Sequence, residues 1–120
     1  MSEREVLTAA YREFNARNID GVIARMHPQV EWANGMEGGH VYGEDAVREY
    51  WTCQFTALNP RVDPVSIDPD QNSHWVVTVH QVVHDMKGNL LLDTTVYHTY
   101  RFRDGLIARM DIAQTSPFSG

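Results

Sequence analysis

One histidine lies among apolar residues in a stretch whose side chains alternate. From Leu90 to Arg103 the even positions are mainly apolar and include His98, whereas the odd positions are mainly polar. Such alternation is typical of a β-strand with one buried face, so it turns His98 toward the interior. Burial lowers the pKa of an imidazole and keeps it neutral at pH 7. A neutral imidazole can accept a proton or polarise a carbonyl group, which makes His98 our candidate catalytic residue.

His98 has a second interpretation that the sequence leaves open. A buried imidazole costs free energy unless it is hydrogen-bonded. His98 could therefore be a core histidine satisfied by Tyr100, by Gln114 or by water, because pockets and cores are built from the same apolar residues. Asp111 is the nearest acid, but the alternation of the last strand turns it outward.

Large apolar side chains from several segments are expected to surround His98 and bind a small apolar molecule. They are Trp32, Trp51, Phe55, Val77, Val79, Tyr100 and Met110. Such side chains with few polar atoms are typical of a ligand pocket, although they could also fill the space completely. His40 lies in the stretch Gly35–Gly43, whose four glycines predict a loop. If that loop is a lid, His40 also contacts the ligand.

Other chemistries have little support in the sequence. His80 and His84 share the outer face of a predicted strand without a third ligand, so we expect no metal, and no cofactor motif is present. The net charge of −6 argues against nucleic acid as a partner, and no apolar run is long enough to span a membrane. The single cysteine, Cys53, suits the reducing cytoplasm, where we expect the protein.

Three helices are predicted in the N-terminal half. Ser2 and Glu5 form a capping-box pattern that starts the first helix, and Asp20 is expected to cap a short second helix that ends before Pro28. Glu44 begins the third helix, where a negative charge in the first turn interacts favourably with the helix dipole. The first helix has an apolar face formed by Val6, Leu7, Ala10, Tyr11 and Phe14. A short strand at 30–34 separates the second and third helices, and Asn59-Pro60 ends the third.

The remaining pattern has a period of two and predicts an antiparallel meander. Its strands are Arg61–Ile67, Ser73–His84, Leu90–Arg103 and Leu106–Gln114. Pro64 indicates that the first of them lies at a sheet edge. In the last strand Leu106, Ala108, Met110 and Ile112 are expected to face inward. Helices followed by strands in a chain of 120 residues predict one α+β domain spanning residues 1–120.

Three stretches resemble the nuclear transport factor 2-like superfamily, and its SnoaL-like branch most closely. They are NIDGVIARMHPQVEW (residues 18–32), GEDAVREYW (43–51) and YRFRDGLIARM (100–110). The resemblance implies a cystatin-like cone in which a curved antiparallel sheet wraps around three helices and a hydrophobic cavity. It also implies a homodimer formed through the outer sheet face. Members include polyketide cyclases and ketosteroid isomerase, and fold alone does not select among such functions.

Matching functional residues from these relatives gives a mixed result. On the ungapped alignment, the general-base aspartate of ketosteroid isomerase falls on Trp32, its protonated aspartate on His98 and its tyrosine on Ala10, beside Tyr11. Steroid isomerisation by that mechanism is therefore not expected. The SnoaL-like cyclases are similar to this chain in having a histidine on the penultimate strand. Their last-strand aspartate corresponds only to the outward-facing Asp111.

Three functions remain as alternatives. The first is a cofactor-free isomerase, cyclase or hydratase that uses His98 as general acid or base. The second is a module that binds a hydrophobic molecule without chemistry, which the missing second acid or base favours. The third is a dimeric assembly domain that uses the outer sheet face around Tyr97, Thr95, Thr99 and His80.

Overall fold

The first helix begins where its capping pattern predicts. In a computed structural model of the chain, which describes residues 2–35 and 37–118, the Ser2 hydroxyl accepts a hydrogen bond from the Glu5 N–H at 3.1 Å. The Glu5 carboxylate in turn accepts one from the Ser2 N–H at 3.1 Å. The capping box is therefore confirmed.

The described residues form three helices and six strands. The helices are α1 (Glu3–Asn15), α2 (Ile19–Ile23) and α3 (Glu44–Ala57). The strands are β1 (Met26–Ala33), β2 (His40–Tyr42), β3 (Leu58–Pro69), β4 (Trp75–Asp85), β5 (Leu90–Arg103) and β6 (Leu106–Ala113). None of these helices has both the length and the apolar character needed to cross a membrane.

All six strands belong to one curved, open sheet in the order β2-β1-β6-β5-β4-β3. Strands β1 and β6 pair in parallel, whereas every other neighbouring pair is antiparallel. The helices cover the concave face, and the core lies between the two layers. The predicted α+β fold is thus confirmed. Its fully buried side chains include Leu7, Val30, Val47, Val77, Val79 and Ile107.

Two helix boundaries differ from those predicted. Asn18, not Asp20, caps α2, because its side-chain oxygen accepts the Gly21 N–H at 3.2 Å. The helix already ends at Ile23, so Pro28 lies within β1. The pairing with β6 is interrupted between Met26 and Glu31, so the missing backbone N–H of Pro28 leaves no hydrogen bond of the sheet unmade there.

The third helix and the glycine-rich stretch also differ from the prediction. Helix α3 ends at Ala57, and the predicted terminator Asn59-Pro60 belongs to β3. The stretch Gly35–Gly43, in which Met36 lies outside the described residues, is not only a loop: residues 40–42 form β2. Three residues of antiparallel pairing with β1 bring His40 opposite Ala33.

The alternation of β5 correctly predicts its inner face in the half that the helices cover. Val96, His98 and Tyr100 are buried, whereas Leu90 and Leu92 at the hairpin end are exposed. The apolar pattern thus continues beyond the part of the strand that the core buries.

A bulge reverses the inner face of β6. The strand pairs through Arg109 with Arg101 and then through Ile107 with Phe102, so Ala108 is an extra residue. Met110 faces inward as expected, but Ile107 is fully buried instead of Ala108 or Leu106. The prediction for the first half of this strand was therefore wrong.

Strand β3 is an edge strand, as Pro64 indicates, and its open side is protected. The Asn15 side chain donates to the Val62 carbonyl at 2.8 Å and accepts the Val62 N–H at 2.9 Å. Pro60 and Pro64, two residues to either side, have no N–H to offer on that edge. This part of the edge therefore has no free donor with which to recruit another strand.

We expect Asn15→Ala to lower the free energy of unfolding by about 1–2 kcal/mol, because it leaves both backbone groups of Val62 without their partner. Chemical denaturation would measure this loss. Asn72→Ala, in an exposed turn, is the matched control and should change stability little. Equal effects of the two substitutions would contradict the protective role of Asn15.

Candidate functional site

A cavity of about 360 Å³ lies between the concave face of the sheet and helices α1 and α3. Its wall is aromatic and aliphatic, with three glutamines and one histidine as its main polar side chains. Those polar residues are Gln54, Gln81, Gln114 and His98. No charged residue lines the cavity in the part of the chain that the structure describes. Such a space suits a small, mostly apolar molecule.

His98 lies on the cavity wall because β5 turns it inward, and it is 7% exposed. Its Nδ1 atom lies 2.7 Å from the Tyr11 hydroxyl, which α1 supplies from the other layer of the fold. The Tyr100 hydroxyl donates to the Tyr11 oxygen at 2.8 Å. The imidazole is therefore hydrogen-bonded, but through Tyr11 and not through the partners considered from the sequence.

Burial keeps the side chains of His98, Tyr11 and Tyr100 uncharged at neutral pH. Desolvation lowers the pKa of His98 to about 4. Desolvation likewise raises the pKa of Tyr11 and of Tyr100 above the usual range of a phenol. The site therefore contains a neutral imidazole and two neutral hydroxyl groups.

The second ring nitrogen of His98 is available to a ligand. Nε2 makes no hydrogen bond to any described residue, whereas Nδ1 is bonded to Tyr11. Among the described side chains, the only fully buried polar atom without a partner is Arg25 Nε. Nε2 is thus not sealed in the core, and because His98 lines the cavity, we infer that this atom is accessible from it.

Aromatic rings stiffen the wall next to His98. Trp32 from β1 meets Trp51 from α3 edge-to-face, with ring centroids 5.3 Å apart and planes at 87°. Trp32 also approaches Tyr100 at 6.1 Å. Such packing holds large side chains in place at little cost in conformational freedom. The cavity wall contains Trp32, Trp51, Tyr100 and Met110 among the residues expected there.

Three other expected ligand contacts do not line the cavity. Val77 and Val79 have no exposed surface and belong to the packed core. Phe55 packs 5.3 Å from Phe14, and the Arg17 guanidinium lies 4.7 Å from its ring centroid. Phe55 therefore packs against side chains near the C-terminal end of α1, outside the cavity wall.

His40 does not line the cavity either. It is not among the cavity-lining residues, and its contact with the outward-facing Asp111 places it on the outer face of the sheet. There the His40 Nε2 lies 2.9 Å from Asp111 Oδ1, so the expected lid contact is replaced by a hydrogen bond to Asp111. Asp111 itself faces outward, as the alternation predicts.

A network of hydrogen bonds on the outer face contains these two residues. The Arg109 guanidinium donates to Asp111 at 2.9 and 3.0 Å and to Glu31 at 2.6 Å. These hydrogen bonds raise the pKa of Arg109. Partial burial opposes ionisation of Asp111, but its bonds to Arg109 and His40 outweigh that effect and lower its pKa.

Tyr11 is the site residue that the sequence interpretation missed. Its place on the apolar face of α1 predicts a core residue, and it is indeed 4% exposed. The missed signal is its hydroxyl, which needs a buried partner, as does the imidazole of His98. The sequence does not reveal that these groups, 87 residues apart, meet.

The lowered pKa of His98 predicts a specific loss of stability in acid. The unfolded imidazole binds a proton below its ordinary pKa of 6.5, whereas the folded one stays neutral down to about 4. The unfolded state thus binds more protons between these two values. As the pH is lowered from 6.5 to about 4, the free energy of unfolding should therefore decrease by about 3 kcal/mol because of His98. Denaturant titrations of the parent and of His98→Gln between these pH values would measure it. An equally steep loss in His98→Gln would contradict the assignment.

The chain matches the family model of the SnoaL-like domain over residues 7–110. It is 28% identical to TerC, crystallised with polyporic acid, at a TM-score of 0.81 with 94% of this chain and 91% of that chain covered. An NTF2-like protein of unknown function from Burkholderia pseudomallei is 24% identical, with a TM-score of 0.82 and coverages of 96% and 92%. A Mycobacterium tuberculosis protein, solved in complex with estradiol-17beta-hemisuccinate, is 18% identical, with a TM-score of 0.78 and 92% of both chains covered. Comparison with curated proteins gives no significant match. The match to the family model spans most of the sequence, and the protein belongs to the SnoaL-like domain family.

Proposed function

We propose that this protein binds a small, mostly apolar molecule in its cavity and anchors it through His98. The observation that carries the proposal is the Nε2 atom of His98, which has no partner among the described residues, on a cavity wall without charged side chains. A polar atom in such a place gains a hydrogen bond when a ligand with a matching polar group enters. The apolar remainder of the ligand is favoured by burial.

The dimensions of the cavity and the related structures support this proposal. A volume of about 360 Å³ lies within the range of small-molecule sites. TerC was crystallised with polyporic acid, and the Mycobacterium tuberculosis protein with estradiol-17beta-hemisuccinate. We infer that ring-containing organic molecules are the class to test. A cytoplasmic location stays a prediction from the single cysteine.

A second candidate function is cofactor-free catalysis on the same ligand. His98 can polarise a carbonyl group, which acidifies the neighbouring C–H bond and favours isomerisation or ring closure. No carboxylate or lysine among the described residues lines the cavity as a second acid or base. His98 would then have to act alone or with a group of the substrate, which is why binding ranks first.

We also propose that the outer sheet face joins two copies of the chain. The charges of Glu31, Arg109 and Asp111 are already paired within one copy, so stacking a second copy would bury no unpaired charge from this network. Light scattering at micromolar concentration tests this proposal, and a monomer would contradict it.

Binding is expected to depend on His98 specifically. A panel of two- to four-ring ketones should raise the melting temperature of the parent protein, because a ligand that binds only the folded state stabilises it. His98→Leu should weaken binding roughly ten-fold by removing one hydrogen bond. His80→Leu, on the outer face, is the control and should bind as the parent does. Undiminished binding by His98→Leu would exclude the anchoring role.

Catalysis has a separate test. If His98 polarises a bound ketone, the parent should accelerate exchange of the hydrogens beside the carbonyl with deuterium from heavy water, as followed by NMR. His98→Gln should abolish the acceleration. A ligand that binds without any acceleration would leave binding as the function and exclude this chemistry.

A further inference from the structure

A buried chain of hydrogen bonds connects Tyr100, Tyr11 and His98. Each of the three side chains contributes one exchangeable proton, and few acceptors are within reach. The Tyr100 hydroxyl contacts Tyr11 at 2.8 Å, and the Tyr11 hydroxyl contacts Nδ1 of His98 at 2.7 Å. Within the described part of the chain, neither hydroxyl has another hydrogen-bond partner. Both tyrosines are at most 4% exposed, so solvent has little access to them.

Only one direction of donation gives every buried proton an acceptor. If Tyr100 donates to Tyr11 and Tyr11 donates to Nδ1, the remaining proton lies on Nε2 of His98, which is accessible from the cavity. If Nδ1 donates to Tyr11 and Tyr11 donates to Tyr100, the Tyr100 proton has no acceptor. An unpaired buried hydroxyl is disfavoured strongly enough to bias the first arrangement by roughly ten-fold or more.

We propose that Tyr11 and Tyr100 are positioning residues that hold His98 as the Nε2–H tautomer, so that the cavity offers a hydrogen-bond donor and selects neutral ligands with an acceptor oxygen, such as ketones. The selectivity rests on the proposed binding function, whereas the tautomer does not. An imidazole without these tyrosines could present either a donor or an acceptor.

The uncharged wall explains why the selected ligand is neutral. A carboxylate could also accept the Nε2 proton, but it would lose its hydration in a space lined by no described lysine or arginine. With a pKa of about 4, His98 does not supply a positive charge at pH 7. We therefore expect a ketone to bind at least roughly ten-fold more tightly than a carboxylate of the same shape.

The tautomer can be measured without any ligand. In protein labelled with ¹⁵N-histidine, with the His98 signals assigned by their loss in His98→Gln, Nδ1 should have the shift of an unprotonated nitrogen and Nε2 that of a protonated one. Tyr11→Phe should make the Nδ1-protonated form measurable, and Tyr100→Phe should do so to a smaller extent. Tyr97→Phe on the outer face is the control. A protonated Nδ1 in the parent, or an unchanged tautomer in Tyr11→Phe, would overturn the positioning role.

A matched ligand pair tests the selectivity. Calorimetry at pH 7 would compare 2-acetonaphthone with 2-naphthoate in the parent and in Tyr11→Phe. We expect the ketone to be preferred by the parent and the preference to shrink in the variant. Equal affinities in the parent would overturn the selectivity. If neither compound binds while the tautomer is as expected, the proposed binding function fails and the positioning role stands.

Discussion

The need to satisfy one buried imidazole couples the two layers of this fold. His98 lies on the concave face of the sheet, where an unpaired ring nitrogen would cost free energy. Its partner is the hydroxyl of Tyr11, which comes from α1 on the other side of the core. The hydrogen bond therefore joins the helix to the strand across the core, at the wall of the cavity between them.

The cavity exists because large aromatic rings contact each other and hold the sheet and the helices apart, so that the space between these layers is not filled. Trp32 and Trp51 contact each other edge-to-face and leave the region beside His98 open. Further along the sheet, Val77 and Val79 are packed without any exposed surface. The same concave face thus contains a dense core in one part and a ligand-sized space in another.

Local signals in the sequence predicted much of the fold and part of the site. The capping box at Ser2, the parity of β5 and the edge position of β3 depend on neighbouring residues, so they could be recognised. The bulge at Ala108 could not be recognised, because no residue type in the strand marks the position of the extra residue, although that residue reverses which side chains face inward. The meeting of Tyr11 with His98 and the parallel pairing of β1 with β6 depend on packing between distant segments, which alternation does not encode.

The position of β6 within the sheet has a consequence for how the protein folds. This strand, near the C-terminal end of the sequence, is the sole link in the described sheet between the β1–β2 pair and the β3–β4–β5 meander. During synthesis β1 can pair with β2, and the meander can pair as it emerges, but β1 must wait for its second partner, β6, which lies roughly 80 residues later in the chain. Until then Trp32 lacks its neighbour Met110 on β6, and the two halves of the cavity wall cannot join. We therefore expect cavity formation to be a late step in folding, because it requires β6.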